Sequence, residues 1–166
     1  MSSDIIKTVI TALILVVIQV MVLGNIHLFG CATPLLYIYV LIHLQRNAPR
    51  WMGLVLGFGL GIISDIFSNT PGVGTASLTF MGFVQPYILQ DFLSRDSAEN
   101  LVPSFQSMTM PKYLVYVLVM TLLFCIIFFS LETFSPFQWR LWALLVAGST
   151  IITYIFIITI DIFRKG

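Results

Sequence analysis

The sequence predicts an all-α integral membrane protein that forms one polytopic domain over residues 1–166, with six transmembrane helices and both ends in the cytoplasm. Apolar residues make up 58% of the chain and charged residues only 9%, whereas a soluble domain carries roughly 25% charged residues. The apolar residues fall into runs close to the ~20 residues that cross a bilayer, and the basic residues lie mostly on one side of these runs. With a net charge of +1 and no long basic run, the chain gives no indication of nucleic-acid binding.

Polar and turn-forming segments divide the chain into six apolar runs. The predicted spans are residues 5–24, 29–44, 51–67, 73–93, 113–131 and 138–163. We expect the first span to be retained rather than cleaved, because it is long enough to cross the membrane and bulky Phe29 stands before Cys31 where cleavage needs a small residue. In the second span, Pro34 falls in the first turns, where its missing N–H costs little. Between the third and fourth spans, the run Ser-Asn-Thr-Pro-Gly at 68–72 predicts a turn.

The distribution of Lys and Arg predicts the orientation. Seven of them fall on one side of the predicted spans, namely Lys7, Arg46, Arg50, Arg95, Lys112, Arg164 and Lys165. Arg140 alone falls on the other side. Basic residues accumulate on the cytoplasmic side, so the N-terminus, the 45–51 turn, the 94–112 loop and the C-terminus are predicted to be cytoplasmic. The apolar spacing of Leu101, Phe105 and Met108 leaves two interpretations of that loop open, a short helix on the membrane surface or a solvated connector.

The third span carries small residues at regular spacing. Gly53, Gly57 and Gly61 recur every four residues, and Asp65 continues the series. This spacing places them on one face of a helix, where glycines let another backbone approach closely. The partner of this face is another helix of the same chain or the spanning helix of another protein, and the two can also occupy different flanks.

Asp65 is an ionisable residue within the predicted membrane. It lies ~20 Å from Trp51 at ~1.5 Å per helical residue, in the outer half of the bilayer, and such groups are candidates for function. Three roles stay open for its carboxylate. It can accept N–H groups of the 68–72 turn, pair with Arg140, or contact a ligand or partner.

The sequence gives little support to catalysis, and it predicts neither an enzyme nor a bound cofactor. His27 and His43 fall on opposite sides of the predicted membrane, so they cannot share a metal site or serve one nucleophile. Each is interpreted as an interfacial histidine. Cys31 and Cys125 cannot form a disulfide framework. Gln19, Gln85 and Gln90 are expected to bond between helices, with the lining of a polar pocket as the alternative.

Several short motifs together resemble the rod-shape-determining protein MreD family. The sequence of residues 65–72 is similar to that of members from Bacteroidota. The motifs are Asn25, Pro34 with Leu35 and Leu36, Gly57 with Phe58, Gly61, Asp65, and Thr70 with Pro71 and Gly72. The resemblance covers the full length in size and span layout, while its motifs are concentrated in residues 19–86.

This resemblance implies a non-enzymatic component of the bacterial inner (plasma) membrane that supports cell shape and side-wall peptidoglycan synthesis in the elongation (rod) complex, or elongasome. It implies a scaffold that binds MreC, and through it MreB, RodA and the class B penicillin-binding transpeptidase. It also implies a fold resembling the substrate-binding subunits of energy-coupling-factor transporters. The positions carried over as architecture or partner contacts are Asn25, Pro34, Gly57, Gly61, Asp65 and Gly72.

The alternative function is a small-molecule (vitamin) binding subunit of such a transporter. Those subunits often dock their coupling protein through an Ala-x-x-x-Ala seam in the first helix, whereas the first span here has only Ala12. Large or β-branched residues elsewhere in the span disfavour close docking. A membrane-embedded enzyme is a third possibility, and the sequence shows no nucleophile–base pair for it.

Overall fold

The computed structural model describes Ile10, Ile14 and residues 35–46, 48–93, 102–103, 108–133 and 139–164. Regular structure in these residues is helical throughout. The helices are α1 (Ile38–Ile42), α2 (Arg50–Ser68), α3 (Val73–Phe92), α4 (Met110–Thr133) and α5 (Trp139–Arg164). Three segments, Arg50–Ser68, Met110–Thr133 and Trp139–Phe163, are long and apolar enough to cross a membrane. The prediction of an all-helical membrane protein is therefore confirmed at this level.

The last four predicted spans each correspond to one helix of the structure. Helices α2, α3 and α5 agree with the predictions to within about one residue at each end, and α4 begins at Met110, three residues before the predicted start. Helix α3 has 20 residues, which at ~1.5 Å each is ~30 Å. It is the least apolar of the four because it carries Gln85, Gln90 and Asp91.

The first part of the chain is described only in fragments. Of the predicted second span, the structure describes residues 35–44, which contain the short helix α1. Of the first span it describes Ile10 and Ile14, both helical and about half exposed. In the 94–112 loop, Met108 packs into the core. Leu101 and Phe105, on which the predicted surface helix depends, lie outside the described residues.

Neighbouring long helices run in opposite directions. Gly53 of α2 lies opposite Gly82 of α3, while Gly61, two turns further along α2, lies opposite Thr75. In the same way Tyr113, near the start of α4, contacts Asp161 near the end of α5. The bundle thus has two ends, which we call the Asp65 end and the Asp161 end.

Helix α1 lies at the centre of the bundle. Every residue from Leu35 to Ile42 is at most 4% exposed, and the helix packs against α2, α3 and α4. Two hydrogen bonds also join residues 35–42 to α5, one from the Leu35 N–H to the Thr153 hydroxyl and one from the Tyr39 hydroxyl to Asp161. A segment that is apolar on all sides is expected to be enclosed on all sides, and α1 follows that rule.

The outward faces of the long helices are apolar. The exposed residues include Val55, Phe58, Ile62 and Ile66 on α2, Phe80 and Phe83 on α3, and Leu144, Ile151 and Ile155 on α5. Water-soluble monomers avoid continuous surfaces of this kind. In lipid they carry no such cost, because the helices satisfy their backbone polar groups internally.

Candidate functional site: two buried polar clusters

The three predicted glycines of α2 form an internal seam with α3. A Cβ atom added at Gly53 would lie 2.9 Å from the Gly82 carbonyl oxygen, and one at Gly57 would lie 2.5 Å from the Leu78 carbonyl oxygen. A Cβ at Gly61 would collide with the backbone of Thr75. Of the two partners that the sequence left open for this face, the structure places another helix of the same chain against it.

Asp65 lies at the end of this seam and binds the first turn of α3. Its Oδ1 accepts the Gly74 N–H at 2.7 Å and the Thr70 hydroxyl at 3.3 Å. Its Oδ2 accepts the N–H groups of Gly72 at 3.1 Å and Thr75 at 2.9 Å, and the Thr75 hydroxyl at 2.7 Å. The first N–H groups of any helix lack partners within the helix, and a carboxylate there also opposes the helix dipole favourably. Asp65 therefore caps α3 from the preceding helix.

The turn between α2 and α3 needs this outside cap because its own cap residue has no side chain. Gly72 is the N-cap of α3 and has φ of +87°. Asn69, the C-cap of α2, is also left-handed with φ of 54°. Gly and Asn are the residue types that adopt this conformation most readily. A Cβ at Gly72 would meet no atom within 4 Å, so backbone conformation rather than space favours glycine there.

Arg140 takes no part in this cluster. It is exposed in the first turn of α5, and in the described part of the chain no ion pair joins it to Asp65. Every hydrogen bond described for the Asp65 carboxylate comes from residues 70–75. Of the three roles open for this carboxylate, the structure thus shows capping of the turn. Asn25 and Pro34 lie outside the described residues.

A second polar cluster, at the Asp161 end, joins α4 and α5 to α1 and to His43, which caps α1. The His43 Nε2 lies 3.0 Å from the Asp161 Oδ1, and both side chains are less than 10% exposed. The Tyr39 hydroxyl donates to the same Oδ1 at 2.9 Å, and the Tyr113 hydroxyl donates to Oδ2. The Tyr113 oxygen also lies 3.2 Å from His43 Nε2. A carboxylate inside a membrane protein is expected to be paired in this way.

Sequence reasoning missed this cluster. It treated His43 as an interfacial histidine and did not single out Asp161. Two signals were present in the sequence. Asp161 lies inside the apolar run 138–163, where an ionisable residue needs a partner. Tyr39 and His43 are four residues apart, which places them on one face of a helix.

A neutral network extends the second cluster towards α3. The Gln85 amide donates to the Tyr116 hydroxyl at 3.2 Å, and that hydroxyl donates to the Ile42 carbonyl oxygen at 3.2 Å. The carbonyl of Tyr39 is likewise bound by His43 Nδ1 at 3.1 Å. The Ile42 carbonyl oxygen, at the end of α1 where carbonyls lack partners within the helix, is thus bound by a side chain. The prediction of bonds between helices is confirmed for Gln85. Gln90 is exposed on α3, and Gln19 lies outside the described residues.

The polar groups of both clusters are bound within the bundle. In the described part of the chain, every buried side-chain nitrogen and oxygen atom has a hydrogen-bond partner. Within the same residues, no group of three or more His, Cys, Asp or Glu side chains could hold a metal ion. The described groups around His43 are phenols and a carboxylate rather than a serine or cysteine nucleophile. The clusters join helices to one another.

The fold and these contacts define the class of protein: a multi-helix membrane protein whose buried polar side chains satisfy one another within the bundle. Comparison of the chain with protein-family models, with curated proteins and with solved structures gives no match.

Proposed function

We propose that the chain is a non-enzymatic component of the bacterial inner membrane, similar to MreD, that supports cell shape and side-wall peptidoglycan synthesis by binding MreC. The observation that carries the proposal is the position of the motif residues. Gly57, Gly61, Asp65 and Gly72 are among the residues that resemble the MreD family, and in the structure they lie together along one hairpin, α2–α3. These residues therefore serve one structural purpose, which is to fix the two helices of the hairpin against each other.

The proposal includes six membrane crossings, with both ends in the cytoplasm and a fold similar to the substrate-binding subunits of energy-coupling-factor transporters. The antiparallel order of α2 to α5 supports it. Arg46, Arg50 and Lys112 are adjacent in sequence to the helix ends at the Asp161 end, whereas Arg140 is at the opposite end. Basic residues mark the cytoplasmic side, so the Asp161 end faces the cytoplasm in this proposal.

The outer face of the hairpin is the surface we assign to the spanning helix of MreC. A groove of about 510 Å³ runs between α2 and α3, lined by Leu54, Phe58, Gly72, Thr75, Ala76, Thr79, Phe80 and Phe83. Association of helices in lipid depends on close packing rather than on hydrophobicity. Small residues among those that line the groove, Gly72, Thr75, Ala76 and Thr79, permit close packing. The capped turn and the glycine seam hold α2 and α3 at a fixed separation. MreB, RodA and the transpeptidase are reached through MreC.

Depletion of the protein tests this function in the cell. We expect depleted cells to become round and to lose side-wall incorporation of peptidoglycan precursors, and we expect the wild-type chain to restore both. Normal rod shape after depletion, together with a vitamin bound to the purified protein and co-purification of an ATPase module, would support the transporter subunit instead.

A further inference from the structure

We propose that His43 and Asp161, together with the hydroxyls of Tyr39 and Tyr113, form a charged latch that fixes the central helix α1 to α4 and α5. This inference goes beyond the proposed function and does not depend on it. It rests on the contacts of four side chains that lie on or directly beside three helices at the Asp161 end of the bundle.

The latch acts on a helix that cannot hold itself in place. Helix α1 has five residues, and isolated helices shorter than ~12 residues are marginal. Its apolar side chains bury it but provide little orientation, because the hydrophobic effect is non-directional. Hydrogen bonds with defined angles are what fix its rotation and its height in the bundle.

The hydrogen-bond pattern indicates which protons are present. His43 Nδ1 faces the Tyr39 carbonyl oxygen, which can only accept, so Nδ1 carries a proton. Both oxygens of Asp161 already accept a tyrosine hydroxyl. Acceptance of two hydroxyls favours the ionised carboxylate, and we assign the remaining proton to Nε2, which then donates to Oδ1 at 3.0 Å. The cluster is then an imidazolium–carboxylate pair with no net charge.

The titratable groups that surround the His43–Asp161 pair lie on the helices packed against it. Tyr39 belongs to α1 and Tyr113 to α4, and the groups that act on the Asp161 carboxylate are His43, Tyr113 and Tyr39. The neighbouring network of Gln85, Tyr116 and the Ile42 carbonyl is neutral. Because the described surroundings supply no second ionic partner, each member of the pair depends on the other for charge compensation.

The position of the latch means that it also affects how the α2–α3 hairpin is held in the bundle. Helix α2 packs mainly on α3, and α1 contacts α2, α3 and α4. The latch fastens α1 to α4 and α5, so it helps to hold the hairpin against the second half of the bundle. Loss of the latch is expected to loosen α1 and the turn that leads from it into α2.

The first test is a comparison of single and double charge removal in the full-length protein in detergent. His43→Gln leaves the buried Asp161 carboxylate without its cation, and Asp161→Asn removes the acceptor of the His43 ring. The loss of one partner is more damaging than the removal of both. Hydrogen exchange by mass spectrometry reports on the amides of His43 and Leu44, which donate to the carbonyls of Tyr39 and Leu41. We expect each single variant to exchange there on the order of 100-fold faster, and the double variant to exchange more slowly than either single variant. Additive effects of the two substitutions would overturn the charged latch.

The second test needs no change in the latch itself. His27→Gln leaves His43 as the one histidine of the chain, and nitrogen NMR of the protein purified without a histidine tag reads its protonation. The expected spectrum at neutral pH shows both ring nitrogens protonated. A neutral ring protonated at Nδ1 alone would overturn the assignment. Should the single variants fail to accumulate in membranes, this spectrum decides the question.

Discussion

The carboxylate of Asp65, near the end of one helix, accepts the backbone N–H of Gly74 at 2.7 Å in the first turn of the next helix. Asp65 is only 7% exposed, and its carboxylate also accepts the N–H groups of Gly72 and Thr75. One side chain thus fixes the exit of α2 and the entry of α3. Asp65, which the sequence predicts to lie inside the membrane, therefore caps α3 and fixes the turn of the hairpin.

Replacement of Asp65 by Asn is therefore expected to damage the turn, although the two side chains have the same shape. Both oxygens of Asp65 face donors, so the amide NH₂ of Asn has to point at other N–H or O–H groups. We expect a loss of about 1–3 kcal/mol in stability, measured by thermal unfolding in detergent. Asp91→Asn, at an exposed position of α3, is the control and should be neutral. Equal stability of both variants would show that the carboxylate charge does not matter.

The effect of a glycine substitution in α2 on stability should depend on the face of the helix that the glycine occupies. Gly61→Ala adds a Cβ that collides with Thr75, whereas a Cβ at Gly59 meets no atom within 4 Å. Overpacking of a tight contact costs about 1–3 kcal/mol, while Gly→Ala on an open helix face is neutral or stabilising by up to about 1 kcal/mol. Thermal unfolding and membrane yield of the two variants compare the faces directly. A Gly61→Ala variant as stable as Gly59→Ala would contradict the internal seam.

Substitution of Gly72 is expected to lower stability for a different reason. A side chain has space there, but φ of +87° is unfavourable for an L-residue, which costs about 1–2 kcal/mol. We expect Gly72→Ala to lower the unfolding temperature and Gly72→Asn to lower it less, since Asn tolerates this region better. Identical unfolding temperatures for the three proteins would mean that the turn adopts another conformation.

The sequence was sufficient to predict the helices α2 to α5, because a run of about 20 apolar residues between polar segments is typical of a membrane-spanning helix. It also placed Gly53, Gly57 and Gly61 on one helix face. It could not say which helix covers that face, since small residues suit any close neighbour. The pairing of His43 with Asp161 joins residues that are far apart in the sequence, and no local pattern reports such a distant contact.

The orientation of the helices is tested by labelling single cysteines in intact cells. In a background that lacks Cys31 and Cys125, a cysteine at Asn69 should react with a membrane-impermeant maleimide, and a cysteine at Gln106 should react only after lysis. The reason is the excess of basic residues on the side of the 94–112 loop. The reverse pattern of labelling would invert the orientation and place the Asp161 end outside the cytoplasm.

Co-purification in mild detergent is the most direct test of the proposed function. The wild-type chain should retain MreC from its own cells. Ala76→Trp, which fills the groove between α2 and α3, should lose MreC while it remains stable, and Ile155→Trp, on the exposed face of α5, should retain it. We therefore expect MreC with the wild-type and Ile155→Trp proteins only. A wild-type protein that carries a vitamin and an ATPase module, with no detectable MreC, would contradict the proposed function.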